Sequence, residues 1–194
     1  MKVIGITGGV GCGKSAILKH LKEKYNCVIF LADDAAKELE KPGESCYKKL
    51  ITLLGDRILE DNGEINSKKM SAAIFDDEEL LKKVNDIIHP AVRVYILESI
   101  EKAKNEGFDY FFLEAALLIE CGYKEVVDEM WYIFATEDER RRRLKESRGY
   151  TDSKIDAIMA SQLTEEEFRA NSDFVIDNNG SIRNSLKQVD LRLA

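Results

Sequence analysis

Proline is scarce in this chain, two in 194 residues, and no Ser/Pro-rich or repeated tract interrupts it, which excludes a long disordered linker. No apolar run approaches the roughly 20 residues that span a bilayer. The longest, Tyr110 to Ile119, is interrupted by Glu114. A basic excess is missing as well. The net charge is −7, which argues against nucleic acid as the main partner, because neutralising phosphates takes a concentrated basic surface. The four cysteines, Cys12, Cys27, Cys46 and Cys121, have no paired metal-type spacing, and a chain of this size does not depend on disulfide staples, so they are expected to be reduced. Met1-Lys2-Val3-Ile4 runs straight into glycines without the apolar segment of a signal peptide. The expectation is a cytoplasmic monomer with neither a membrane nor a nucleic-acid partner.

What is present is an alternation. Lys2 to Thr7 reads as a short strand, and Ala16, Ile17, Leu18 and Leu21 recur at helical spacing after it. Further strands are expected at Cys27 to Leu31, Tyr110 to Leu113, Met130 to Ala135 and Phe174 to Ile176. Between the second and third, Ser67 to about Lys104 reads as helix, with a break near His89-Pro90 because the residue before proline disfavours helix. Between the fourth and fifth lies a highly charged helical stretch in which Thr164 and Glu167 have capping-box spacing. Ser181 opens a last amphipathic helix. Strands alternating with helices predict a single α/β domain, a parallel five-stranded sheet flanked by helices, and the glycine motif from Gly8 to Ser15 makes it one of the P-loop NTPase type. Its core comprises about 1–43, 106–137 and 171–194. Two helical excursions are too long for simple crossovers, and read as a substrate-binding insertion at about 44–105 and a lid at about 138–170.

Glycine is concentrated at one place, with five between Gly5 and Gly13. Gly8-x-x-x-x-Gly13-Lys14-Ser15 is a phosphate-binding loop, and it stands between a predicted strand and a predicted helix as that motif requires. Bare backbone lets successive N–H groups turn inward onto phosphate oxygens, and the helix that follows adds its positive end. Gly9, Gly11, Cys12, Gly13, Lys14, Ser15 and Ala16 are therefore the expected ATP-binding positions. Lys14 reaches the β- and γ-phosphates and the Ser15 hydroxyl is the natural ligand for Mg²⁺. Cys12 contributes mainly its backbone N–H.

A GTPase switch would read its base with Asn-Lys-x-Asp, and the chain contains no Asn-Lys pair. A small-molecule kinase needs a base for the acceptor hydroxyl and a lid bearing arginine that excludes water. Asp33 follows the second strand, at the carboxyl edge where open α/β folds bind ligands. It either accepts a hydroxyl proton there or caps the next helix. Arg140 to Arg143 with Arg148 offer cations, of which one or two are expected to touch phosphate. Glu114 either orients Mg²⁺ through water or is a plain strand-end carboxylate.

Taken together, these segments resemble the dephospho-CoA kinase family over nearly the whole chain. "GITGGVGCGKS", "ADDAAKELEKPG", "VNDIIHPAV", "ALLIE" and "SDFVIDNNG" are similar to its motifs in order. The resemblance implies transfer of the γ-phosphate of ATP to the ribose 3′-hydroxyl of dephospho-CoA, the last step of coenzyme A synthesis. It makes Asp33 the general base, together with Lys14, Arg143 and Arg148 as the catalytic set. It puts His89, Leu117, Leu118 and Glu120 around the acceptor and Asn178 or Asn179 near the adenine edge. The family's pattern is broken at Leu31, Lys37, Ser67 and Ala116, and the spacing from Arg143 to Arg148 is one residue longer than the family's. Two alternatives stand beside this reading: a P-loop kinase for another nucleoside or small metabolite, and a nucleotide-dependent switch.

Overall fold

The computed structural model describes all of residues 1–194. Five apolar runs form the strands β1 (Lys2–Thr7), β2 (Cys27–Leu31), β3 (Tyr110–Glu114), β4 (Glu129–Phe134) and β5 (Phe174–Asp177). They make one parallel sheet in the order β2-β3-β1-β4-β5. β1 lies between β3 and β4, with Ile6 opposite Glu114 on one side and Trp131 on the other. Apart from polar residues at their ends, such as Lys2, Glu114, Glu129 and Asp177, these strands are apolar because both faces of such a sheet are covered. Ile4, Ile6, Phe111, Phe112, Trp131 and Ile133 are fully buried. Phe112 and Trp131 meet at 6.0 Å between ring centroids, and Trp131 meets Phe174 edge-on at 5.5 Å. The lone tryptophan is thus core, and rings tie β3, β4 and β5 together.

The helices are α1 (Lys14–Lys24), α2 (Ala32–Leu39), α3 (Tyr47–Leu54), α4 (Ser67–Ile74), α5 (Glu78–Asn105), α6 (Glu137–Arg148), α7 (Asp152–Ala160), α8 (Glu165–Ala170) and α9 (Ile182–Leu193). By its contacts the chain divides into two compact units, residues 1–30 with 103–194, and residues 31–102. The first holds the sheet. The second is helical around Leu50, Leu54, Ile58, Val84, Val92 and Ile96, and it takes in α2 as well as the segment expected from residue 44.

In the sheet unit, the charged stretch resolves into α6, α7 and α8. The capping box of α8 is formed: Thr164 Oγ1 accepts from the Glu167 N–H at 3.2 Å while the Glu167 carboxylate accepts from the Thr164 N–H at 2.8 Å. Phe168 stacks on Tyr132 at 4.9 Å with the rings 8° from parallel, which fixes α8 to β4.

One expectation is corrected. The helix does not break at His89-Pro90; α5 runs through Pro90 without interruption. A proline inside a helix costs about 3 kcal/mol. Burying Val84, Val92 and Ile96 along one face of α5 returns about 1.5–3 kcal/mol per side chain, so the apolar face overrides the local preference.

Candidate active site

The glycine loop leaves the end of β1 and enters α1 at Lys14. Gly13 precedes the helix with φ 97°, makes no side-chain cap, and is followed by a first turn without any acidic residue. In that turn the Ala16 N–H reaches the Gly13 carbonyl at 3.2 Å, those of Lys14 and Ser15 have no partner within the helix, and no carboxylate of the turn itself offsets the positive end of the helix dipole. An anion is the natural complement. Gly11 and Gly13 adopt left-handed φ values of 80° and 97°, where any other residue would be strained.

Lys14 arches back over the loop. Its Nζ donates to the Gly8 carbonyl at 2.7 Å and lies 3.5 Å from a Glu114 carboxylate oxygen, with both side chains largely buried. Glu114 ends β3, in register with Ile6 on β1. Ser15, exposed in the first turn of α1, and Glu114 are hard oxygen donors that fit a divalent ion. No group of three or more His, Cys, Asp or Glu side chains could hold a metal by itself.

The loop is gripped from behind. Asn178, 2% exposed at the end of β5, donates from Nδ2 to the Cys12 carbonyl at 2.7 Å, and its Oδ1 accepts from the Ser185 hydroxyl at 2.7 Å. Arg143 on α6 donates to the same Cys12 carbonyl at 3.1 Å and to the Asn178 carbonyl at 2.6 Å. Arg140 donates to the Val10 carbonyl at 2.9 Å and to Gln162 Oε1 at 2.6 Å, and that oxygen accepts the Val10 N–H at 3.1 Å. A Cβ on Gly9 would overlap the Arg140 guanidinium, and one on Gly13 would overlap the Asn178 amide. The glycines thus admit both an inward turn of the loop and side chains pressed against its outside.

Arg142 and then Arg143, beside Glu139, hold that carboxyl below its ordinary range. Burial pushes the thiols of Cys27, Cys46 and Cys121 up, which keeps them protonated and unreactive. Cys12 is buried and, like the other three, a free thiol.

Of the two arginines expected from the charged helix, Arg143 touches the loop. Arg148 ends α6 exposed, 5.8 Å from the Tyr150 ring, and with Lys154 it holds that phenol below its usual range. Asp33 does not cap α2: the N-cap position is Leu31, and Asp33 is exposed in the first turn, in the helical unit. His89 is half-buried on α5 of the same unit, and Lys37 reaches Asp34 at 3.4 Å. In the sheet unit, Leu117 and Glu120 are exposed beyond β3, whereas Leu118 is buried against Gly5. Asn178 is engaged on both ends of its amide; Asn179 accepts from the Thr136 N–H at 2.6 Å. Gln162 and Ser185 gave no signal in the sequence, and Arg140 was one of four adjacent arginines with nothing to distinguish it.

A family model described as dephospho-CoA kinase matches residues 2–184. The chain belongs to the dephospho-CoA kinase family. A dephospho-CoA kinase of Geobacillus kaustophilus is 35% identical over 186 residues, covering 96% of this chain and 92% of the relative. A solved structure from Thermus thermophilus superposes with a TM-score of 0.85 at 26% identity, covering 99% of this chain and 95% of that one. Dephospho-CoA kinase from Campylobacter jejuni shares the fold with a TM-score of 0.74 at 21% identity, covering 98% and 94%. Membership in the dephospho-CoA kinase family makes the chain a nucleotide-using kinase that acts on a small molecule. No helix is long and apolar enough to cross a membrane.

Proposed function

We propose that this chain transfers the γ-phosphate of ATP to the 3′-hydroxyl of dephospho-CoA, releasing CoA and ADP, as a cytoplasmic monomer. The observation that carries the reading is the bare, acid-free start of α1 beneath the glycine loop, with the Lys14 ammonium held over it, in a chain matched across residues 2–184 by the family model.

In this reading the N–H groups of Gly9, Gly11, Gly13, Lys14 and Ser15 receive the phosphate oxygens, Cys12 and Ala16 line the same loop with their N–H groups on the Gly9 and Gly13 carbonyls, and Lys14 meets the β- and γ-phosphates. Ser15 and Glu114 would hold Mg²⁺, which supplies neutralisation of the charge between those phosphates. Asp33 takes the proton from the 3′-hydroxyl as the oxygen attacks phosphorus, in line with the departing ADP. Arg143 keeps the Cys12 peptide in place. Leu117, Glu120 and His89 flank the acceptor. Arg143, at the loop, and Arg148, beside Tyr150 at the end of α6, neutralise the charge that shifts to the departing ADP.

The test supplies ATP and Mg²⁺ with dephospho-CoA, adenosine, other nucleosides or no acceptor, and follows ADP release. Release that depends on dephospho-CoA, with the new phosphate on the 3′-oxygen, is expected. Equal hydrolysis without acceptor would favour a nucleotide switch, and preference for another hydroxyl compound a different kinase.

A further inference from the structure

The arginine run of α6 is neutralised unevenly. Arg141 pairs with Glu137, Asp152 and Asp156, Arg142 with Glu139 and Glu146, and Arg143 with Glu139. Arg140 is the member of the run that meets no carboxylate. Its two hydrogen bonds go to neutral oxygens, the Val10 carbonyl at 2.9 Å and Gln162 Oε1 at 2.6 Å. Gln162 Oε1 also accepts the Val10 N–H at 3.1 Å. Both partners of that atom are donors, which fixes the amide with its oxygen toward them. The tip of the glycine loop is therefore held through both polar groups of Val10, and the guanidinium lies against Gly9.

A carboxylate at position 162 would make the same two hydrogen bonds and would also cancel the arginine's charge. An amide fixes the guanidinium and leaves the charge intact. It comes from the linker between α7 and α8, 152 residues from Val10 in the chain.

We propose that Gln162 is a positioning residue for the nucleotide: it holds Arg140 against the rim of the loop with its positive charge uncancelled, so that Arg140 joins Lys14 in attracting the phosphate tail. The proposal rests on the loop binding ATP, as in the function above.

The test is calorimetric titration of ATP with Mg²⁺ into the full chain. Gln162→Glu keeps both hydrogen bonds, so its melting temperature without nucleotide is expected to match or exceed that of the parent chain, while its affinity for ATP falls about tenfold or more. Arg140→Gln removes the charge directly and is expected to show a loss of the same size, which tests the proposal even if the glutamate variant does not fold. Because both act on one charge, the double variant is expected to lose less than the product of the two single losses. ATP affinity unchanged in Arg140→Gln, or losses that multiply fully in the double variant, would overturn the proposal and leave the proposed function standing. A parent chain that binds no ATP overturns both.

Discussion

Asn178 and Arg143 converge on one atom, the carbonyl oxygen of Cys12, donating to it at 2.7 and 3.1 Å. The first comes from the end of β5 and the second from α6. A peptide in the middle of the glycine loop is thereby fixed from two directions.

Replacing Asn178 by Leu removes one of the two donors to the Cys12 carbonyl and one of the two acceptors of the Ser185 hydroxyl, which keeps the Asp177 carbonyl at 2.9 Å. A loss of about 0.5–1.5 kcal/mol is expected for each hydrogen bond removed. It should appear as a lower denaturant midpoint at unchanged slope, with weaker ATP binding. Asn178→Asp faces an acceptor with an acceptor and should be destabilised as well; an aspartate variant as stable as the parent would contradict the buttress.

Gly9 lies outside the left-handed region, so alanine is compatible with its backbone, yet the added methyl collides with the Arg140 guanidinium. Gly9→Ala is therefore expected to weaken ATP binding by displacing Arg140, with little change in melting temperature. In an Arg140→Ala background the same substitution should cost little more, a comparison that titration calorimetry makes directly. A full additional loss there would place the damage in the backbone.

Asp33→Asn removes a proton acceptor while keeping shape. Turnover with dephospho-CoA is expected to fall by about 10² to 10⁴-fold, the range for a general base, and affinity for ATP to stay within about twofold of the parent. Rapid-quench measurement of the phosphoryl-transfer step checks it. Unchanged turnover would remove Asp33 from the reaction.

Asp190 on α9 accepts from His20 Nε2 at 2.8 Å, Lys24 Nζ at 2.7 Å and the Tyr25 hydroxyl at 2.7 Å. Burial works to raise its carboxyl, but Lys24, His20 and Tyr25 outweigh it and hold the group well below the usual carboxylate range. A carboxyl depressed on folding contributes stability above its unfolded value of about 3.9, and that contribution is lost as the pH falls further, through the folded value. Asp190→Asn should flatten the acid limb of stability between about pH 5 and pH 2. Denaturant titrations across that window test it; an unaltered limb would show that the cluster contributes nothing.

The glycine loop was legible because its chemistry is local: Gly8, Gly13, Lys14 and Ser15 are spaced along a few residues between a strand and a helix. The five strands were legible for a similar reason, since buried parallel strands are short apolar runs. Pro90 misled because a local preference was set against the apolar face of a 28-residue helix. Arg140 could not be singled out because four consecutive residues point about 100° apart around a helix, and only the position of the loop decides which one meets it. Gln162, Asn178 and Ser185 act on residues more than 150 positions away or on one another, and no spacing rule reports such pairs. For Asp33 the structure excludes the capping role, and its role as base is proposed from the family likeness.

The order in which the groups around Cys12 and Val10 emerge during synthesis has a consequence for the newborn chain. The residues of the glycine motif are made more than 120 residues before Arg140, Arg143, Gln162 and Asn178, which set its shape. Tight capture of nucleotide should therefore wait on synthesis past Asn178, and a stalled fragment that displays the whole motif without these residues should hold no ATP.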